Sequence, residues 1–424
     1  MLSIREETGM NTLIVIAGNA SSPFFLNELG FMKKNYDEVY IIDSNNNAAL
    51  GKSIEAEYGF KYVYCRPYPF SWAGIKRFVA WMKQDSVQEE IASNVTLSIA
   101  GIKKWMYILL YGITSVNGRL IIDQILDASE EKVDIYSFWL SRPAYLAAQY
   151  NEHRSEKVCN IISRAHGYDL YFERNSLAYL PFRSFIDQNL DAIYFISEDG
   201  KSYYESQYHV QMHAERAISR LGVFEPEFKK NARNKDEIVI ASCSYLVPVK
   251  RVDLIIDVIA QLKDMRIKWI HFGDGKLRQQ LEKQCADCLM PGQYKFFGNV
   301  ANQELLKTYQ EEDVDFFINL SDSEGVPVSI MEAMSFGIPV IARDVGGNRE
   351  IVDASNGLLL GAMSKEDMAK LIRDFIEKSV CDKAFYRQAC MNAALTWDRE
   401  YNAERNYGEL YAKAFKGRSV AEEK

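Results

Sequence analysis

Two carboxylates eight residues apart, Glu324 and Glu332, stand out within residues 321–352, SDSEGVPVSIMEAMSFGIPVIARDVGGNREIV. The apolar run 314–320 before them reads as a buried strand. It runs into a polar turn, residues 321–325, and a helix follows from about Pro327, a residue favoured at the first helical position. Glu324 then sits on the loop above the strand, and Glu332 lies more than one turn inside the helix. Free backbone N–H groups at the helix start, around Gly325, Val326 and Pro327, form a site for an anion or for sugar hydroxyls. Two carboxylates at different depths suit a polyhydroxylated ligand, each accepting hydrogen bonds from a different ring. Gly337-Ile338-Pro339 ends the helix and opens the next strand. Gly346-Gly347 then gives a turn whose backbone can approach a ligand closely.

This order of Glu, Gly, Pro, Glu, Gly-x-Pro and Gly-Gly resembles the E-x7-E signature of GT-B fold glycosyltransferases of the retaining family 4 type. The resemblance extends across the C-terminal half. Residues 242–262, SCSYLVPVKRVDLIIDVIAQL, look like that family's strand, diphosphate-binding loop and helix, with Lys250 at the phosphate lysine. The family's Gly-Arg pair is replaced here by Ser244-Tyr245, so a second phosphate cation must come from elsewhere, and Arg251 is the nearest candidate. The Gly273-Asp274-Gly275 turn in residues 271–281 matches another family segment, and FFGNV, residues 296–300, resembles the loop that reads the base, with Val300 at the reading position. In the N-terminal half the match is thinner. His166-Gly167-Tyr168-Asp169 resembles the His-Gly-x-Asp segment that faces the donor sugar, and the loop after the first strand, residues 17–21, has one glycine.

The resemblance implies a GT-B enzyme that moves a hexose-type sugar from a UDP- or GDP-sugar to a saccharide or polyprenyl-linked saccharide, with retention of configuration. Bacterial surface polysaccharide assembly (capsule, exopolysaccharide or O-antigen) is the implied setting. By the same resemblance Lys250, Glu324 and His166 are the catalytic group. Arg251, Gly273, Asp274, Gly275, Val300, Gly325, Val326, Pro327 and Glu332 are the donor-binding group. Lys250 and the helix start would stabilise the departing diphosphate, so no metal or other cofactor is expected. Glu332 would hold the ribose hydroxyls and Glu324 the sugar hydroxyls, while His166 would face the donor from the other domain. The phosphate oxygen would take the acceptor proton, leaving no need for a dedicated base. A nucleotide-sugar epimerase or hydrolase on the same fold is the alternative enzyme, and a non-catalytic nucleotide-sugar binder would leave Glu324 and Glu332 idle.

The elements that must position these residues follow from the apolar runs. In the first half they are 12–17, 39–43, 62–65, 133–138, 158–165 and 192–197; in the second, 238–243, 268–272, 295–297, 314–320 and 339–342. Short runs apolar on both faces and alternating with helical patterns predict parallel sheets covered by helices, an α/β class. The polar, proline-bearing stretch 222–236 reads as a linker. The expected organisation is two Rossmann-like doubly wound domains facing each other across a cleft: an acceptor-binding domain, 1–222; a linker, 223–236; a donor-binding domain, 237–396; and a C-terminal helix, 397–424, whose packing partner its pattern leaves open.

Composition narrows the classes. Hydrophobic residues at 48% and charged residues at 25% exclude disorder, collagen and a coiled-coil rod. A net charge of −8 argues against a nucleic-acid partner held by phosphate attraction. The run 13–17 after Arg5, Glu6 and Glu7 reads as a first strand rather than a signal peptide. The longest apolar run, 105–113, is about half the 20 residues a bilayer needs. Seven cysteines without framework spacing fit free thiols in the cytoplasm. Asp313-x-Asp315 precedes a strand instead of closing one, Cys285-x-x-Cys288 sits in a helical pattern without a second pair, and His209 with His213 reads as a helix face; none is taken as a metal site. The missing GxGxxG argues against an NAD-dependent oxidoreductase.

One segment departs from the βα rhythm. Residues 66–119 carry seven basic side chains (Arg66, Lys76, Arg77, Lys83, Lys103, Lys104 and Arg119) against Asp85, Glu89 and Glu90. Two helical patterns there place Trp72, Phe78, Trp81, Trp105 and Tyr107 beside lysines, the form of an interfacial membrane binder. The other account is a pair of surface helices whose aromatics are core. The first account would hold the enzyme at the inner face of an anionic cell membrane.

Overall fold

The computed structural model describes residues 11–66, 72–130, 132–152, 157–207, 213–227 and 237–414. Arg5, Glu6, Glu7, His209 and most of the expected linker lie outside the described residues. The chain divides into two compact units, one of residues 1–219 with 407–424, the other of residues 220–406.

Unit 1 is built on seven strands: β1 (Thr12–Ile16), β2 (Glu38–Asp43), β3 (Lys61–Tyr64), β4 (Val133–Ser137), β5 (Val158–Ala165), β6 (Ala192–Phe195) and β7 (Glu215–Ile218). Their order is β3-β2-β1-β4-β5-β6-β7, and every pairing is parallel. β1 (TLIVI) and β4 (VDIYS) are buried at every position, because helices cover both faces of the sheet centre. Beneath the sheet, Arg164 and Glu28 form an ion pair with both side chains sealed from solvent. Tyr411 donates to Glu28 at 3.1 Å, and the Arg164 guanidinium lies over the Tyr407 ring. Those two tyrosines place the end of the Ala403–Ala414 helix in this core. The segment expected as one helix from 397 is instead a π-helical turn, Trp397–Tyr401, followed by Ala403–Ala414.

Unit 2 has six strands: β8 (Ile238–Cys243), β9 (Ile267–Phe272), β10 (Tyr294–Gly298), β11 (Phe316–Asn319), β12 (Val340–Arg343) and β13 (Gly357–Leu360). The order is β10-β9-β8-β11-β12-β13, again all parallel. The Val252–Ala260 helix buries six of its nine residues against this sheet, including Ile255, Ile256 and Ile259. In each sheet the strand order reverses beside the first strand, between β1 and β4 and between β8 and β11. Ligands of open α/β sheets bind in the crevice at that reversal, beyond the carboxyl ends of the strands.

Three further sequence expectations change. The Ile99–Ala128 helix runs 30 residues and holds a window of mean hydropathy 1.2, long and apolar enough to cross a membrane by length and composition, where the sequence showed only a nine-residue run. Its Ile108, Ile122 and Ile125 nonetheless belong to the unit 1 core. His213 is no helix face: it lies outside the Glu198–Gln207 helix, its N–H bonded to Asp187 at 3.0 Å. Of the five aromatics offered as membrane contacts, Trp81 is buried, donating to Tyr145 at 2.8 Å, and Phe78 and Tyr107 pack on the same core.

Candidate active site

In unit 2 the loops after β8 and β11 meet at the strand-order reversal. Lys250 ends the β8 loop and Glu324 lies on the β11 loop; the Lys250 Nζ donates to both Glu324 oxygens at 2.7 Å. Asn319, the last residue of β11, donates to Glu324 Oε1 at 3.1 Å. An ammonium has three protons, so with two directed at Glu324 one remains for an incoming acceptor. The Asp322 N–H donates to the Val249 carbonyl at 2.8 Å and lashes the two loops together.

Arg251 follows Lys250 at φ +47°, a conformation costly for a side-chain-bearing residue, and caps the Val252–Ala260 helix. Its guanidinium is spent on Asp253 and, at 3.2 Å, on Asp322, which Arg343 also binds. Arg251 therefore stands on the seam between loops, its guanidinium bonded to Asp253 and Asp322. Tyr245, where the resembled family carries arginine, is 70% exposed on the same β8 loop.

The Val328–Ser335 helix begins after Pro327 with no side-chain cap, which leaves its first N–H groups open to a ligand. Glu332, in the middle of that helix, is buried. Burial pushes its carboxyl up to about 7, against the opposing pull of the Asn302 amide that donates to it. Asn302 opens the helix after β10, two residues beyond Val300, and carried no signal in the sequence.

The Gly346-Gly347 turn serves a different purpose from the one its sequence suggested. A Cβ on Gly346, at φ +49°, would lie 2.1 Å from the Glu324 carbonyl oxygen, and one on Gly347 would lie 2.3 Å from that of Gly325. These glycines let the two loops pack backbone to backbone, which holds Glu324 in place. Gly273 plays the same part on the other side: its N–H donates to Gly298, and a Cβ there would meet the Ser244 oxygen at 2.0 Å. Asp274 accepts the Leu246 N–H through its backbone at 3.0 Å and the Gly275 N–H through its carboxylate at 2.7 Å. His271 fixes this arrangement from below. Its Nδ1 pairs with Ser242 Oγ at 2.8 Å and its Nε2 with the Ser244 carbonyl at 3.2 Å. Burial lowers its pKa to about 4, so it stands neutral, with Nε2–H donating to Ser244.

In unit 1, a cavity of about 310 Å³ lies at the reversal between β1 and β4, lined by Gly18, Asn19, Ser44, Trp139, Arg142 and Tyr168 among others. His166, at the end of β5, packs against the rings of Phe138 and Trp139 at centroid distances of 4.7 and 4.4 Å. The Asp169 carboxylate beside it accepts the N–H groups of His166, Gly167 and Leu140 at 2.7–2.9 Å. Burial would raise Asp169, but His166 and those N–H groups outweigh it and hold the carboxyl below its ordinary value. Neither His166 ring nitrogen has a hydrogen-bond partner among the described residues; Nδ1 stands 3.7 Å from Asp169. A buried imidazole left so is costly unless a ligand completes it.

Among the described residues no group of three or more His, Cys, Asp or Glu is placed to hold a metal ion. Asp315 accepts the Val239 N–H at 2.9 Å inside the sheet, and Cys285 is buried in the unit 2 core.

Residues 223–394 match the family described as glycosyl transferases group 1. The chain is 30% identical over 167 residues to the poly(ribitol-phosphate) α-N-acetylglucosaminyltransferase of Staphylococcus aureus, covering 37% of this chain and 32% of that protein. It is 28% identical over 189 residues to the O-antigen biosynthesis glycosyltransferase WbnH of Escherichia coli, covering 42% of this chain and 51% of that protein. The chain thus spans only about a third and about a half of the length of these two relatives. Among solved structures, Anabaena Alr3699/HepE in complex with UDP superposes with a TM-score of 0.65 at 15% identity, over 95% of this chain and 98% of that one. That likeness is one of fold.

Proposed function

We propose that this chain, a group 1 glycosyltransferase of GT-B fold, transfers a hexose-type sugar from a nucleoside-diphosphate donor on unit 2 to a saccharide or lipid-linked saccharide acceptor on unit 1. The observation that carries the reading is the Lys250–Glu324 pair at the β8/β11 reversal, with the uncapped Val328–Ser335 helix start on the same loop. A departing diphosphate gathers negative charge, and an ammonium already fixed in place stabilises that charge without reorganising. Glu332 takes the ribose hydroxyls and Glu324 those of the sugar. His166 is the unit 1 residue assigned to the donor sugar; its ring nitrogens, neither hydrogen-bonded among the described residues, support a polar ligand at the end of β5. We further propose retention of configuration, no metal requirement and a cytoplasmic place of action. Surface-polysaccharide assembly is the proposed setting, in keeping with the names of the two relatives.

The test has two stages. A thermal-shift panel of UDP, GDP, ADP and their sugars identifies the donor, because a ligand that binds only the native state raises its melting temperature. Product analysis by NMR with an acceptor then reports the anomeric configuration. No shift with any nucleotide overturns the donor site, and an inverted product overturns retention.

A further inference from the structure

The helices between β3 and β4 leave large apolar side chains in solvent. Trp72, 80% exposed, shares one face of the Trp72–Met82 helix with Ile75 and Val79. Ile99, Ile102 and Met106 form a second stripe on the first turns of the Ile99–Ala128 helix, beside Trp105 at 41% exposure. The two helices pack together where the Trp81 ring covers Gly112, so closely that a Cβ on Gly112 would lie 2.2 Å from it. Trp81 and Ile108 turn inward to one core, which leaves both stripes on its outer layer.

Charge identifies the occupant. Lys76 and Arg77 follow Ile75, Lys103 follows Ile102, and all three are exposed. Neither residues 72–84 nor residues 95–122 contain a single Asp or Glu, in a chain of net charge −8. The cores of protein–protein interfaces are depleted in lysine. Tryptophan and isoleucine interspersed with lysine and arginine suit the boundary of a bilayer, where apolar groups enter the acyl region and cations meet acidic headgroups. The Ile99–Ala128 helix cannot cross such a bilayer in this fold, because its later turns are committed to the unit 1 core.

We infer that unit 1 docks on an anionic bilayer surface through these two stripes, lying on the membrane without spanning it. The docking stands apart from the transfer reaction, since vesicle binding is read without turnover. The experiment is co-sedimentation of the full chain with vesicles of phosphatidylcholine alone and of phosphatidylcholine with phosphatidylglycerol. The expected result is binding to the anionic vesicles only, weakened by salt. A Lys76→Gln/Arg77→Gln/Lys103→Gln variant should lose about 100-fold in partitioning, the product of three surface cations. A Trp72→Ser/Ile102→Ser variant should lose binding as well, with both proteins keeping the wild-type melting temperature because the replaced side chains are exposed. Wild-type protein that stays in the supernatant at low salt overturns the inference. So does undiminished binding by both variants. Sedimentation velocity supplies the remaining outcome: a wild-type dimer that Trp72→Ser/Ile102→Ser converts to monomer, without vesicle binding, assigns the face to a second copy and overturns the bilayer.

Discussion

Lys250 and Glu324, 74 residues apart in the chain, meet with the ammonium 2.7 Å from both carboxylate oxygens. The pair exists because β8 and β11 are neighbours in the sheet although not in sequence, so the loops that follow them share one crevice. Glu324 orients the lysine and leaves it one free proton. Lys250→Ala should therefore lower turnover by about two to three powers of ten, the scale for deleting one charge-stabilising group. Steady-state kinetics on the purified variant check this, and near-normal turnover would move the phosphate cation elsewhere.

Donor binding should depend on pH through Glu332. Burial raises its carboxyl from 4.5 to about 7, so the contribution of the protonated form to stability is intact below 4.5 and is lost as pH rises through 7. Ribose hydroxyls bond best to the ionised carboxylate, so ligand binding favours the deprotonated form. Affinity for a nucleotide sugar should fall about tenfold between pH 8 and pH 6. Calorimetry with the intact nucleotide sugar is the measurement, because its diphosphate does not titrate there. Glu332→Gln should flatten the profile; a wild-type profile that is already flat contradicts the assignment.

Gly346→Ala tests loop packing. The left-handed conformation alone costs about 1–2 kcal/mol for a residue with a Cβ, and the new carbon would also press on the Glu324 carbonyl. Both melting temperature and turnover should drop. Gly361→Ala, where nothing lies within 4 Å, is the control and should be near neutral. Equal behaviour of the two variants would detach Gly346 from the site.

The legibility of this chain follows from burial. Central strands such as β1 and β8 were readable because both faces are covered and the run is apolar throughout. β7 and β13 were missed: each is four residues long at a sheet edge, with half or more of its positions only partly buried or exposed. Glu324 and Glu332 were legible through their spacing on a strand–turn–helix, and Lys250 only through the resemblance of residues 242–262 to a family segment. Asn302, thirty residues before Glu332, could not be, because only the fold brings the helix after β10 to that carboxylate. The aromatic segment was half legible. Helical spacing announced two amphipathic helices, but whether a given tryptophan faces inward depended on the Gly112 notch that admits Trp81 and leaves Trp72 outside.

Turnover should survive chelation. The proposed leaving-group stabilisation uses an ammonium and a helix start, and Asp315, one of the two closely spaced acids, is committed to the Val239 N–H inside the sheet. Assays in excess EDTA should match those without it. Loss of activity restored by Mg²⁺ or Mn²⁺ would require an ion at the diphosphate.

Tyr245 offers the sharpest gain-of-function test. It occupies the position at which the resembled family carries an arginine for the diphosphate, and Arg251 does not stand in for that group, because its guanidinium is held by Asp253 and Asp322. One lysine is then left to meet a doubly charged diphosphate from the β8 loop. The Tyr245 side chain is 70% exposed, so replacing it disturbs no packing. Tyr245→Arg should add a charge-assisted hydrogen bond of about 1.5–3 kcal/mol before the entropy of ordering the side chain. After that cost, the gain in nucleotide-sugar affinity should be about five- to tenfold. The same change in the Lys250→Ala background should recover part of the lost turnover. Tighter binding without recovered turnover would mean that the arginine reaches the ground-state diphosphate but not the charge that develops as the bond breaks. Unchanged affinity in both backgrounds would show that the β8 loop does not approach the diphosphate at residue 245, and would leave Lys250 as its only cation on that loop.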